Sequence, residues 1–226
     1  MQDLKNWKPR PAPAPISLTG RYVMIEPYSR AVHRDTLWAA FGGAEQINEL
    51  IRYFPGGPYE NADQFCDWLD ANTKAGLVVN IFRSRRNGDV VGMGSYMRAD
   101  PANGSVEIGS IAHGPAMARS PMSTEAQYLL ARHVFEDLGY RRYEWKCDNA
   151  NAPSKRTAER LGFTYEGLFR QHIVYKGRNR DTAWFSIIDS EWPRVKQALE
   201  AWLDPANFDA EGRQKRRLED IRAESA

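Results

Sequence analysis

The chain is poor in the residues that announce metal or disulfide chemistry. Of 226 residues only two are cysteine, Cys66 and Cys147, and four are histidine. Two cysteines build no disulfide framework, and their spacing matches no metal-ligand pattern. A reduced, cytoplasmic setting without a bound metal is the expectation. Long apolar runs are missing too. No stretch approaches the ~20 apolar residues that cross a bilayer. The opening "MQDLKNWKPRPAPAPISL" also lacks the apolar centre of a secretory signal. No membrane partner is expected. Net charge is nearly absent, because 31 basic residues oppose 29 acidic ones and leave +2. So balanced a surface gives no reason to expect nucleic acid. The one basic run, "RQKRR" (213–217), is followed at once by acidic residues. That fits a solvated helix or frayed end better than a polyanion site.

What is present is apolar and aromatic, 42% and 12% of the residues. That suffices to bury a core in one large domain. The seven tryptophans are read mostly as core. Residues 1–17 form a proline-rich arm, in which "KPRPAPAP" is an extended polyproline lead-in. Residues 18–203 carry the domain, and 204–226 form a charged tail. "RYVMIEPY" (21–28) reads as a strand, followed by two or three helices in 30–75. The clearest helix is "NADQFCDWLDANT" (61–73), with Asn61 as its cap and Phe65, Trp68 and Leu69 on one stripe. "LVVNIFRSR", "DVVGMGSYMRA" and "SVEIGSIAH" (105–113) are strands, the first two joined at Asn87-Gly88, a two-residue hairpin signal. A helix within 118–139 leads to the strand "RRYEWKC" (141–147), the helix "NAPSKRTAERLG" (151–162) and two long strands meeting at "KGRNRD" (176–181). A helix over 190–203, with Ser190 as its cap, closes the domain. The order gives an α+β fold with a mixed, mostly antiparallel sheet. Its strand–helix–strand unit at 105–147 demands one parallel pair.

"ARSPMSTEAQYLL" (118–130) places Arg119, Ser120, Ser123 and Thr124 at the mouth of a helix that follows a parallel strand. Ser120 before Pro121 is a good cap by itself. The surplus of hydroxyls and the cation suit an anion, because free N–H groups and the positive end of the helix dipole meet there. On this segment alone an over-capped helix without a ligand is an equal reading.

Further segments resolve the choice. "VEIG" (106–109), "STEA" (123–126), "FEDLGYRR" (135–142), "NAPSKRTAERLGF" (151–163) and "YEGLFR" (165–170) occur in order. With "LTGRYVMIEPY" (18–28) they make the chain resemble the GCN5-related N-acetyltransferases, or GNAT superfamily. Within it they resemble the branch of the ribosomal-protein-alanine acetyltransferases (RimJ/RimL-like). The resemblance spans roughly residues 18 to 203. It implies the GNAT fold, with a splayed parallel strand pair flanked by helices, and acetyl-CoA as co-substrate. It implies transfer of an acetyl group to a primary amine by direct attack in a ternary complex. The acceptor would be a protein N-terminus or a small-molecule amine. A possible homodimer is implied as well.

The resemblance also assigns residues. The pantetheine arm would run along Ile108, Gly109, Ser110 and Ile111. The diphosphate would rest on Arg119, Ser120, Met122, Ser123 and Thr124. The family's Gln/Arg-x-x-Gly-x-Gly/Ala loop is altered here, and Pro121 removes one N–H donor. Asn151 matches an asparagine that contacts the arm near the thiol. The tyrosine acid of many members is replaced by Ala158, so Ser154 becomes the candidate acid for the leaving thiolate. Glu107 reads either as the base for the amine or as a strand glutamate facing solvent or paired with an arginine. Ser154 reads as a partner of the CoA sulfur, as a helix N-cap, or both. His113 and His172 are the alternative bases. A non-catalytic acyl-CoA-binding or sensing module is the competing reading, on the strength of the altered loop and the missing tyrosine.

Overall fold

A computed structural model describes residues 4–118 and 120–224. Arg119 therefore lies outside the described residues. The strands are β1 (Leu18–Thr19), β2 (Val23–Pro27), β3 (Val78–Ser84), β4 (Val90–Asp100), β5 (Ser105–His113), β6 (Arg142–Asp148), β7 (Thr164–Tyr175) and β8 (Arg178–Ile188). They form one sheet in the order β1-β2-β3-β4-β5-β6-β8-β7. All neighbours are antiparallel except β5 and β6. The α+β architecture and the single parallel pair match the expectation from sequence. The loop after β3 is longer than Asn87-Gly88 implies. Ser84 N donates to Asp89 O and Gly88 N to Ser84 O, so residues 85–89 turn the chain. At 176–177 the β7–β8 hairpin is tight, with Lys176 and Gly177 both at positive φ (47° and 75°).

Helices cover the two faces. On one face lie α1 (Arg30–Ala40), α2 (Gly43–Leu50) and α3 (Ala62–Lys74). Leu37, Phe41, Ile47, Phe65 and Leu69 pack there against Val79, Ile81, Met93 and Ala112. Asn61 caps α3 as its position implies, its side chain accepting from Gln64 N. The other face carries α4 (Pro121–Arg132), α5 (Ala152–Leu161), α6 (Trp192–Leu203) and α7 (Leu218–Glu224). Leu129, Leu130, Leu161, Val195 and Trp202 meet Ile25, Val106, Ile108, Tyr143, Trp145 and Phe185 in the larger core. α4 runs on into a π-helical turn over His133–Asp137. At α6 the cap position is held by Glu191 rather than Ser190, and no side chain caps it. Among the described residues no helix is long and apolar enough to cross a membrane.

Both terminal segments are laid on the domain. Trp7 donates from Nε1 to Ala102 O (2.7 Å) and is faced by the guanidinium of Arg10 at 4.5 Å. Tyr140 OH donates to Pro11 O (3.0 Å). At the other end, a solvated or frayed helix was the expectation, and α7 instead buries Leu218 and Ile221 in the larger core. The segment before it is a strap. Asn207 Nδ2 donates to Trp202 O and Arg216 O, and Asn207 Oδ1 accepts from Arg216 N. Phe208 pairs with Gln214 across the strap. Two apolar residues in a charged run are a thin signal, which only the fixed loop before them converts into packing.

Candidate active site

Two parallel strands that separate leave backbone groups without ladder partners. β5 and β6 pair from Ser105↔Arg142 to Ile108↔Trp145 and no further. Beyond that point β5 stays with β4, where Ala112 faces Met93 and His113 faces Gly92. β6 stays with β8, where Cys147 faces Ala183. The cause is local. Ser110 has φ 48°, and the β4–β5 register shifts between Met93 and Ser95. A bulge of this kind bends the strand that carries it. The β5 edge from Gly109 to Ile111 is thereby left facing an opening, and an extended ligand can pair with such an edge.

The helix that follows is left open in turn. Ser120 stands at the cap position of α4, yet its side chain caps nothing. Its Oγ donates to Met117 O (2.9 Å). No acidic residue stands in the first turn. The amides of Met122 and Ser123 therefore have no side-chain acceptor, and Pro121 has no amide to offer. The helix is nonetheless clamped one turn on. The Glu125 carboxylate accepts from Arg21 N, Tyr22 N and Val23 N at 2.7, 2.6 and 2.8 Å.

A cavity of about 570 Å³ opens on this helix start. Ser120, Ser123 and Thr124 line it from α4, Thr157 and Arg160 from α5, and Gln214 from the strap. Two polar groups in its wall have no partner. The Gln127 side chain is 4% exposed with both amide atoms unpaired, and His113 Nε2 is buried without a hydrogen bond. Burial pushes the His113 imidazole down to about 4, so the ring is neutral at physiological pH. Arg213 and Glu211 also line it, but they pair with each other and Arg213 with Asp209. The wall thus offers amides, hydroxyls, the Arg160 guanidinium and unpaired buried polar groups, which fit an anionic, polar ligand such as the diphosphate of an acyl-CoA.

At the splay itself, α5 comes close to β6. Asn151 Oδ1 caps α5 by accepting from Ser154 N (3.2 Å), so that oxygen is already engaged. Ser154 Oγ accepts from Trp145 Nε1 (2.9 Å). Burial pushes the neighbouring Cys147 thiol up, and its hydrogen bond with Ser154 opposes that only in part. Cys147 is thus a buried thiol rather than a nucleophile. Ala158 is fully buried, and its place has no room for a tyrosine ring.

The other candidate lies across the sheet. Glu107 alternates with Val106 and Ile108 and so faces away from α5. It is 3% exposed. Its Oε2 receives Lys146 Nζ and Arg98 Nη1, both at 2.9 Å. Lys146 also reaches Glu144 Oε2 at 2.7 Å. Burial alone would raise the Glu144 carboxyl; Arg142 and Lys146 outweigh it and hold it below its ordinary value. Arg142 continues the alternation to Glu166, which also accepts from Ser186 Oγ. Glu107 Oε1 is outside this ladder, beside Gly109, where an added Cβ would come within 3.4 Å of it.

The remaining candidates separate clearly. His172 is held by Thr182 Oγ1 (2.9 Å) between Phe169 and Trp184, on β7 and away from the cavity. Ile108 is the last β5 residue paired with β6 and belongs to the core. Gly109, Ser110 and Ile111 lie on the edge parted from β6. Met122 packs partly on the core. Ser154 and Glu107 flank the splay from opposite faces rather than side by side. Sequence reasoning missed Gln127, Thr157 and Arg160. The last two follow Ser154 at spacings of three, which puts all three on one helical face. Among the described residues no cluster of histidine, cysteine and acids could hold a metal.

Known proteins share this arrangement. Residues 23–164 match the profile of the family described as Acetyltransferase (GNAT) domain. A GCN5-related N-acetyltransferase from Brucella melitensis superposes with a TM-score of 0.93 at 49% identity, covering 97% of this chain and 100% of the other. A probable acetyltransferase of the GNAT family from Chromobacterium violaceum ATCC 12472 gives 0.78 at 35% identity, over 85% and 96%. The uncharacterized N-acetyltransferase p20 of Bacillus licheniformis is 30% identical over 148 residues, 64% of this chain and 83% of that protein. With its parted strand pair and open helix start, the chain belongs to the GNAT family of acetyltransferases.

Proposed function

We propose that this acetyltransferase uses acetyl-CoA to acetylate a primary amine, a protein N-terminus or a small-molecule amine, by direct attack in a ternary complex. The observation that carries the reading is the β5 edge at Gly109–Ile111, parted from β6, together with the uncapped start of α4 that follows it. The acceptor class rests on the likeness to the ribosomal-protein-alanine acetyltransferases, carried by "STEA" and "NAPSKRTAERLGF".

In this reading the amides of Met122 and Ser123 hold the diphosphate, with the hydroxyls of Ser120, Ser123 and Thr124 beside them. Gly109 to Ile111 pair with the extended arm. When bound, acetyl-CoA supplies the activated acyl group. Ser154, oriented by Trp145 and seated at the α5 start, donates a hydrogen bond toward the thiol that leaves. Glu107 takes the amine proton through Oε1, the oxygen that Lys146 and Arg98 do not occupy. The two groups act from opposite faces, so the amine and the thiol need not share one entrance.

Initial rates on a panel of amines, with Glu107→Gln and Ser154→Ala beside the wild type, test this. Intersecting double-reciprocal plots and losses of about tenfold to a hundredfold in kcat for each variant are expected. Tight CoA binding without turnover on any amine would overturn it in favour of an acyl-CoA sensing module.

A further inference from the structure

Pro121 leaves the start of α4 one donor short, and a cation already stands beside it. Arg160, in the last turn of α5, donates from Nη1 to Thr124 Oγ1 at 2.9 Å. Thr124 follows Met122 and Ser123, whose amides are the free ones at the α4 start. The guanidinium lies 4.7 Å over the Trp202 ring and lines the same cavity. It is half-buried and, among the described residues, makes no ion pair. A desolvated guanidinium normally finds a carboxylate.

Its surroundings make the vacancy more pointed. Burial holds the guanidinium below its ordinary value; Glu219 opposes this, while Arg222 and Arg217 add to it. Arg222 is a like charge, and it donates to Arg160 O and Glu159 O at the end of α5. The position of Arg160 is fixed from behind. Trp202 Nε1 donates to Gln214 Oε1 (2.8 Å), and Phe208 meets the Trp202 ring edge-on at 5.2 Å. The strap thus braces the surface on which the guanidinium lies. Gln127, buried and with both amide atoms unpaired, opens into the same cavity and marks independently that polar ligand atoms belong there.

The geometry points to Arg160 as the cation that receives the diphosphate of the acyl donor, standing in for the amide that Pro121 removes. This rests on the acetyl-CoA reading above. The guanidinium offers planar paired donors to phosphate oxygens, and Thr124 aims it toward the helix start. The strap then acts as a positioning element for the phosphate site.

Calorimetric titrations with CoA, 3′-dephospho-CoA and pantetheine, on the wild type, Arg160→Met and Arg160→Lys, test the assignment. CoA and dephospho-CoA should each bind Arg160→Met about tenfold more weakly relative to pantetheine, with partial recovery in Arg160→Lys. A loss confined to CoA would place Arg160 on the 3′-phosphate and overturn the diphosphate assignment. An equal loss with all three ligands, or none, would reduce Arg160 to packing and overturn it too. A wild type that binds none of the three would overturn the acetyl-CoA reading along with this one.

Discussion

Two helices start at the same end of the parallel strand pair, and they treat their free amides in opposite ways. α5 closes itself, with Asn151 Oδ1 accepting from Ser154 N. α4 has Ser120 in the favoured cap position, but the hydroxyl turns back to Met117 O. Residue type alone predicts a capped helix in both places. The difference teaches that a capping residue is informative about function when it does not cap. The closed start carries Ser154, whose Oγ accepts from Trp145 Nε1; the open start leaves backbone amides without an acceptor. Rigidity without a cap is possible because Glu125 ties the next turn of α4 to the backbone of residues 21–23.

The contrast can be broken most severely at that clamp. Glu125→Ala strands three amides, one of them fully buried, and should cost about 3 kcal/mol in urea denaturation. The contrast can next be erased from the ligand's side. Ser123→Asp places a carboxylate in the first turn of α4, where it would satisfy the dipole and occupy the anion's place. CoA affinity by calorimetry should fall by about a hundredfold while the melting temperature holds or rises. Removing the cap on the closed helix is milder. Asn151→Ala should cost about 1 kcal/mol of stability, read by the same denaturation, with a smaller effect on CoA affinity than Ser123→Asp.

The smallest effect concerns pH. His113 titrates at about 4 in the folded chain, against an ordinary value of 6.5. Below the ordinary value the unfolded chain takes up a proton that the folded chain refuses, so stability is lost as pH falls from 6.5 toward 4. Urea midpoints measured at several pH values across that window should drop more steeply for the wild type than for His113→Gln.

Much of this was legible in the sequence. The strand–helix–strand order over 105–147 required the parallel pair, and Asn61 marked the start of α3. The helix start at 120–124 stood out by its surplus of hydroxyls, with an over-capped helix as the equal reading of the segment alone. What stayed hidden depended on direction rather than identity. Glu107 on its strand could be a base or an ion-pair partner. The sheet gives Oε2 the second role and leaves Oε1 outside the ion pairs, a division within one carboxylate that no residue pattern encodes. Arg160 was invisible for a related reason. Its interest lies in lacking a carboxylate, and an absent partner cannot be read from a motif. The strap escaped because Leu218 and Ile221 are too few to register as an apolar stripe, and Asn207 fixes the loop through contacts that sequence spacing does not show.

The uncapped start of α4 has one more consequence, for the lifetime of the molecule. A helix end that lacks its cap is a weak point by ~1 kcal/mol, and a bound anion repairs it. Occupancy at a hundred times the dissociation constant adds ~2.7 kcal/mol to the native state. The share of chains open to proteases would then rise and fall with the supply of ligand. A cell starved of that ligand would hold less of this protein, with no change in its synthesis.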